Sequence, residues 1–173
     1  MLSYRDYPRT VVEDIVRLRR RIAASGLPDK HVDTNLLVGT WNIRTFGGVH
    51  RAWAENPNSP KRNLRALAYI AEIIKRFDVV AIQEVKRNTT GLRSLLQDFL
   101  GPDWGVLLSD VTAGTAGNVE RLAFVYDKRR VQPSGLVGQI VLPPTSAGQP
   151  STQFARTPYL VGFQAHERRF VLV

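Results

Sequence analysis

The chain has 173 residues, 43% of them hydrophobic, which fits one domain with a buried core and excludes a globally disordered protein. Its formal charge of +9 and its pI near 10.5 favour a polyanion as a partner, although charge alone does not separate nucleic-acid binders from other basic proteins. The absence of Cys excludes disulfides, thiolate metal sites and a cysteine nucleophile.

Residues 10–25 are predicted to form an amphipathic helix, because apolar side chains recur there at helical spacing. Thr10 and Glu13 form a capping-box signature at its start. Together with a linker, this helix makes up a first segment, residues 1–35. The amino terminus lacks the continuous apolar stretch of a signal peptide, and no apolar run reaches membrane-spanning length, so we expect a soluble, cytoplasmic protein without a membrane partner.

An apolar strand is predicted over residues 36–43, followed by a long loop that contains glycine and proline. In this loop Phe46 and Trp53 stand among basic residues, an arrangement that suits stacking on a nucleic-acid base and equally suits local packing. The pair Ser59-Pro60 predicts the start of a second helix, which continues to about Phe77.

The remaining chain begins with a buried strand over residues 78–82 and a short helix over residues 91–100, and then contains strands without helices between them. These strands are predicted at residues 104–109, 121–127, within 131–142, at 159–164 and at 170–173. The order indicates an α/β fold in which residues 36–173 form a mixed β-sheet with helices on one face.

Four polar residues stand at the ends of apolar strands, where α/β proteins commonly place their sites: Asn42, Glu84, Glu120 and Arg156. A carboxylate such as Glu84 can bind a hard cation such as Mg²⁺, and an arginine such as Arg156 can bind phosphate through two parallel hydrogen bonds. Each residue also has an ordinary structural reading. Asn42 can satisfy loop amides, Glu84 can form a surface ion pair, and Glu120 can pair with Arg156. Spacing alone leaves both readings open.

The motifs TWNIRTFGG, DVVAIQEVK, ERLAFVYDK and FARTPYLVGF follow one another along the chain. In this order and at these separations they resemble the endonuclease/exonuclease/phosphatase superfamily, and within it the deoxyribonuclease I-like branch. The resemblance covers residues 36–173 and implies half of a four-layer α/β/β/α sandwich. It also implies a hydrolase that cleaves a phosphodiester or phosphomonoester with a divalent cation, Mg²⁺ or in its place Mn²⁺ or Ca²⁺.

The resemblance implies a role for each candidate residue. Asn42 matches an asparagine near the metal and the scissile phosphate, and Glu84 matches the metal-binding glutamate. Glu120 matches a glutamate that orients the catalytic histidine, and Arg156 matches an arginine that contacts phosphate. Lys86 falls where the family often has a basic residue facing the nucleic-acid backbone. We therefore expect a catalytic site in which Glu84 binds the metal and Asn42, Lys86 and Arg156 bind the substrate phosphate.

The sequence departs from the family pattern in its histidines. The family places a Thr/Ser-x-His segment after a strand like residues 170–173, then a Gly-Asp-x-Asn loop and a Ser-Asp-His end, and these motifs are missing here. His31, His50 and His166 lie in other contexts, so no residue is assigned as the general base. We expect the chain to be the front half of a longer nuclease, inactive alone and with an exposed apolar inner sheet face.

Three functional hypotheses follow. The first is a Mg²⁺-dependent phosphodiesterase, a DNA endonuclease of the deoxyribonuclease I type. The second is a noncatalytic nucleic-acid-binding remnant, whose binding weakens steeply with salt. The third is a phosphomonoesterase or phospholipid phosphodiesterase of the same fold, because the loops around such a site set the substrate. The positive charge favours nucleic acid as the partner, and the resemblance to the deoxyribonuclease I-like branch implies DNA.

Overall fold

The computed structural model of the protein describes residues 1–31, 33–54, 62–111, 119–148, 154 and 157–173. The helices are α1 (Arg9–Ala23), α2 (Leu64–Ile74) and α3 (Thr90–Ser94), and α3 continues as a π-helical turn over Leu95–Leu100. The strands are β1 (Val38–Phe46), β2 (Val49–His50), β3 (Arg62–Asn63), β4 (Val79–Lys86), β5 (Trp104–Leu108), β6 (Glu120–Asp127), β7 (Gln132–Gln139), β8 (Tyr159–Ala165) and β9 (Arg168–Leu172). Within the described ranges, no helix is long and apolar enough to cross a membrane.

The main sheet contains four strands in the order β1-β4-β6-β5. β1 runs parallel to β4 and is connected to it through α2, as a parallel pair requires, whereas β6 runs antiparallel to both β4 and β5. The carboxyl ends of β1 and β4 therefore lie beside the amino end of β6. We call this the site edge, defined by Asn42, Glu84 and Glu120.

The three helices cover one face of the main sheet. α2 contributes the fully buried side chains of Leu67 and Ile74, and α1 adds Val11 and Ile15, which are at most 2% exposed. These side chains pack with Ile82 and other apolar residues of the central strand β4 into one hydrophobic cluster. This layer confirms the predicted arrangement of a mixed sheet with helices on one face.

A buried ion pair fixes α1 against α2. The carboxylate of Glu72, 7% exposed, accepts hydrogen bonds from Arg19 Nε at 2.6 Å and from the Tyr4 hydroxyl at 2.9 Å. Burial alone would raise the pKa of Glu72, but the hydrogen bonds from Arg19 and Tyr4 outweigh that effect and lower it. The carboxylate is therefore stabilised in its charged form.

The other face of the main sheet is covered by a second sheet of three antiparallel strands, in the order β7-β8-β9. Phe163 of β8 is fully buried, and its ring lies 5.9 Å from that of Phe124 and 5.5 Å from that of Tyr126 on β6. Tyr159 of β8 also contacts Phe124, at 5.8 Å between ring centroids. The expectation of an exposed apolar inner face is thus wrong, because the late strands fold back over it.

The predicted helix starts also need correction. α1 begins at Arg9 after Pro8 and has no side-chain cap, so the capping box expected from Thr10 and Glu13 does not form, and Glu13 instead accepts a hydrogen bond from Arg9. α2 begins at Leu64, where the Asn63 side chain accepts the N–H of Ala66 at 2.8 Å. The Ser59-Pro60 pair lies outside the described residues.

Candidate functional site

Asn42 and Glu84 come together at the site edge, where the pairing of the parallel strands β1 and β4 is interrupted before each strand ends, at Phe46 and Lys86. The β1–β4 register pairs Asn42 with Gln83, which places Glu84 one residue further along. Asn42 Nδ2 donates a hydrogen bond to Glu84 Oε1 at 2.8 Å, and the backbone N–H of Thr45 donates to Glu84 Oε2 at 3.0 Å. Both carboxylate oxygens are therefore oriented by donors from β1.

The backbone leaves regular β geometry at this point on both strands. The β1–β4 pairing is interrupted after Asn42 and resumes at Phe46, and the β4–β6 pairing is interrupted after Ile82. Thr45 has φ +50° and Glu84 has φ +61°, left-handed conformations that cost a non-glycine residue about 1–3 kcal/mol each. Such bulges re-aim side chains next to functional sites. Here they turn the Glu84 carboxylate toward β1.

Lys86 and Glu120 form a second pair at the same edge. The β4–β6 register places them opposite each other, and Lys86 Nζ lies 2.8 Å from Glu120 Oε1. The Glu120 side chain is 6% exposed and that of Lys86 is 26% exposed. The cation balances a carboxylate that would otherwise be costly to bury, and it keeps a positive charge near the end of β4.

Two further cations border the site edge, and sequence reasoning did not single them out. Arg44 lies on β1 between Asn42 and Thr45, and Arg62 Nη2 donates a hydrogen bond to the Arg44 carbonyl oxygen at 2.9 Å. Burial and the nearby charge of Arg44 lower the pKa of Arg62. This margin favours an anionic ligand. The basic residues are visible in the sequence, but their contact depends on the pairing of β2 with β3, which no local pattern specifies.

Arg156 falls outside the described residues, so its predicted role stays a prediction. Of the two aromatics predicted in the long loop, Phe46 is instead the last residue of β1, and both side chains pack against the hydrophobic core. Phe46 is fully buried, and the Trp53 ring lies 4.8 Å from that of Tyr7 and 6.3 Å from that of Phe99. Of the two readings open for this loop, local packing is therefore the one realised.

The donor set at the site edge suits a hard divalent cation that keeps much of its hydration shell. Mg²⁺ is commonly held by one or two carboxylates together with waters and substrate phosphate oxygens. Glu84 supplies one oriented carboxylate, and Asn42 adds an amide beside it. Across the described residues, no group of three or more His, Asp or Glu side chains could hold a metal ion.

Comparison with known proteins identifies the family. The family model described as Endonuclease/Exonuclease/phosphatase family matches residues 39–165. The chain belongs to this family. The matched range includes Asn42, Glu84, Lys86 and Glu120, which form the paired side chains at the site edge.

The chain is also similar to individual proteins, and its similarity to the solved structures among them supports the fold alone. A deoxyribonuclease of Thioalkalivibrio sp. (strain K90mix) is 29% identical over 134 residues, which are 76% of this chain and 31% of that protein. A family member from Bacteroides thetaiotaomicron matches with a TM-score of 0.50 at 18% identity, over 80% of this chain and 47% of that one. A mannosyl-6-phosphatase of the same species matches with a TM-score of 0.50 at 17% identity, over 79% and 49%. The chain thus spans about a third to a half of the length of these relatives.

Proposed function

We propose that this chain carries the metal- and phosphate-binding part of a divalent-metal-dependent phosphodiester hydrolase that cleaves DNA, an endonuclease of the deoxyribonuclease I type. The observation that carries the proposal is the Glu84 carboxylate, held by Asn42 and Thr45 where two paired strands leave regular geometry. Backbone strain of this kind is typical of functional sites. Its cost is difficult to explain for an ordinary surface glutamate.

Glu84 would hold the divalent cation, Mg²⁺ by its preference for oxygen ligands, and Asn42 would position the carboxylate for it. A bound cation of this kind supplies positive charge to the phosphate and lowers the pKa of bound water. The chain's own contribution is preorganisation, because the two hydrogen bonds to Glu84 fix its orientation before any ligand arrives.

The cations at the site edge would bind the phosphate. Lys86 is positioned by Glu120 at the end of β4, and Arg44 lies on the neighbouring strand. In the proposed role, Arg156 stabilises the charge that develops on the phosphate oxygens. None of the three histidines matches the catalytic segments of the family, so the proposal assigns the general base to no residue of this sequence.

Two observations favour DNA over other phosphate esters. The formal charge is +9, and a deoxyribonuclease of Thioalkalivibrio is 29% identical over 76% of this chain. The similarity to the mannosyl-6-phosphatase, at 17% identity, supports the fold only. A phosphodiester in a polyanionic strand is therefore the proposed substrate.

The test is a nicking assay on supercoiled plasmid with the complete gene product, in Mg²⁺ and in EDTA. We expect Glu84→Gln to reduce the nicking rate by at least about a hundredfold, since it removes the charged metal ligand and keeps the shape of the side chain. Glu13→Gln, a charge-matched change on the exposed face of α1, is the control and should nick at the parental rate.

The nicking assay, together with DNA binding and hydrolysis of nitrophenyl esters, distinguishes the competing functions. Equal nicking by Glu84→Gln and the parent would refute the metal assignment. Binding to DNA that weakens with salt, without cleavage in any divalent metal, would identify a noncatalytic binder. Hydrolysis of p-nitrophenyl phosphate in place of bis-p-nitrophenyl phosphate would identify a phosphomonoesterase.

A further inference from the structure

A second cluster of cations lies at the end of the main sheet opposite the site edge. β6 begins at Glu120 in the site edge and ends at Asp127, where a turn of three basic residues, Lys128 to Arg130, leads into β7. β6 has eight residues, so its two ends are roughly 23 Å apart. The cluster is therefore spatially separate from Asn42 and Glu84.

Two cavities open at this end, and both are lined by Arg130 and His166. The smaller has a volume of about 300 Å³, and its lining residues are Lys128, Arg129, Arg130, Gln132, Gln164 and His166. Each of these side chains carries an N–H donor, and no described lining residue is a carboxylate. The larger, about 710 Å³, adds Arg168 and Arg169 together with the acidic residues Asp33 and Glu167. The smaller cavity therefore has the character of an anion site.

The Arg130 guanidinium is held in place and has donor capacity left. Its Nε donates to Asp78 Oδ1 at 2.9 Å, its Nη2 donates to the Asn35 carbonyl oxygen at 2.7 Å, and its side chain is 10% exposed. Its Nη1 is buried and has no hydrogen-bond partner among the described residues. Buried donors without a partner are uncommon in folded proteins, and this one belongs to a residue that lines both cavities.

The nearby carboxylates neutralise only part of the cluster. Three cations, Lys30, Arg129 and Arg130, contact the buried Asp78 and Asp127 and the exposed Asp103. The other cations on the cavity walls are exposed Lys128, Arg168 and Arg169, which form no ion pair within the described part of the chain. Positive charge in excess, on a wall to which Arg130 contributes an anchored guanidinium, is the arrangement that binds phosphate oxygens.

We propose that the turn from Lys128 to Arg130, with Gln132, Gln164, His166 and Arg168, which lines the larger cavity together with Arg130 and His166, is a second, noncatalytic phosphate-binding site. Its ligand is a phosphate group, either free or in a polynucleotide strand, because planar guanidinium groups and amide donors match phosphate oxygens. The site does not depend on the hydrolytic proposal, since no residue of it belongs to the site edge.

The test measures phosphate binding by the full chain in two arms. In the first, the His166 ring resonances are followed by NMR during titration with inorganic phosphate. In the second, the anisotropy of a labelled single-stranded oligonucleotide is measured at several salt concentrations. The variant is Lys128→Gln with Arg168→Gln, and the control is Arg20→Gln with Arg21→Gln, which removes two exposed cations from α1.

We expect the Lys128/Arg168 variant to weaken phosphate binding about tenfold and the control variant to leave it unchanged. For the oligonucleotide, the slope of log affinity against log salt should fall in magnitude by about 1.4, as expected for the loss of two phosphate contacts. If only phosphate binding changes, the site binds small anions. If only oligonucleotide binding changes, the site binds polynucleotide phosphate. Either result supports the site.

Parental behaviour of the Lys128/Arg168 variant in both arms would overturn the proposal. Equal weakening by the control variant would also overturn it, because the effect would then be one of total charge. Both substituted side chains are exposed, and thermal melting checks that the variant folds. If the double variant does not fold, Lys128→Gln alone gives the same test with half the expected change in slope.

Discussion

Truncation of Phe163 tests whether the second sheet is an integral part of the core. The ring is fully buried between the two sheets, in contact with Phe124, Tyr126 and Phe170 at centroid distances of 5.5–5.9 Å. Phe163→Ala should destabilise the fold by about 3–5 kcal/mol, because it removes buried apolar atoms and leaves a cavity that the surrounding strands can fill only partly. Some of this loss comes from the aromatic pairs, about 0.5–1.5 kcal/mol each.

For a chain of this size the loss corresponds to a fall in Tm of roughly 6–20 °C, measured by circular dichroism or differential scanning fluorimetry. The matched control is Val171→Ala on β9. The Val171 side chain is 50% exposed and lies on the opposite face of the same sheet, because successive side chains along a strand alternate between the two faces. It should change stability by no more than about 0.5 kcal/mol. A Phe163→Ala protein that melts with the parent would show that the β7–β9 sheet does not pack on the main sheet.

Three further predictions concern stability around the site edge and the helical layer. Lys86→Met should cost about 1–3 kcal/mol in urea unfolding, because it removes a partner of the buried Glu120 carboxylate, and unchanged stability would contradict the pair. The pKa of Glu72 is lowered in the folded state. Its contribution to stability is therefore present above the unfolded pKa near 4.5 and is lost as the pH falls through the folded pKa. Glu72→Gln should make the free energy of unfolding less dependent on pH in this acidic range. Gly91→Ala should cost about 1–3 kcal/mol, since its Cβ would lie 2.6 Å from the Gly47 carbonyl oxygen, and a parental melting curve would refute this contact.

The family, the fold class and most strands could be predicted from the sequence, because apolar runs bounded by turn residues carry a strong local signal. β6 was expected at residues 121–127 and lies at Glu120–Asp127, and β8 was expected at 159–164 and lies at Tyr159–Ala165. Assignment of the late strands to a second sheet was not predicted. Alternation along a strand indicates that one face is buried, but it does not say which sheet buries it.

The geometry of the candidate site lay beyond sequence reasoning for a different reason. The strand-end positions of Asn42 and Glu84 follow from the motifs, and their hydrogen bond follows from the register. The hydrogen bond from the Thr45 backbone N–H does not follow from the register. It requires positive φ angles at both Thr45 and Glu84, which are 39 residues apart in the sequence. Likewise, the pairing of Lys86 with Glu120 depends on the β4–β6 register, which no local pattern specifies.

The most direct test of the central claim is divalent-metal binding by the complete gene product, measured by isothermal titration calorimetry with Mg²⁺ and by electron paramagnetic resonance with Mn²⁺. If the strand ends hold a cation through Glu84, Glu84→Gln should weaken binding at least about tenfold, and Asn42→Ala should weaken it less, because the amide positions the carboxylate. Glu13→Gln should bind as the parent does. Metal affinity that is the same in Glu84→Gln and in the parent would contradict the account.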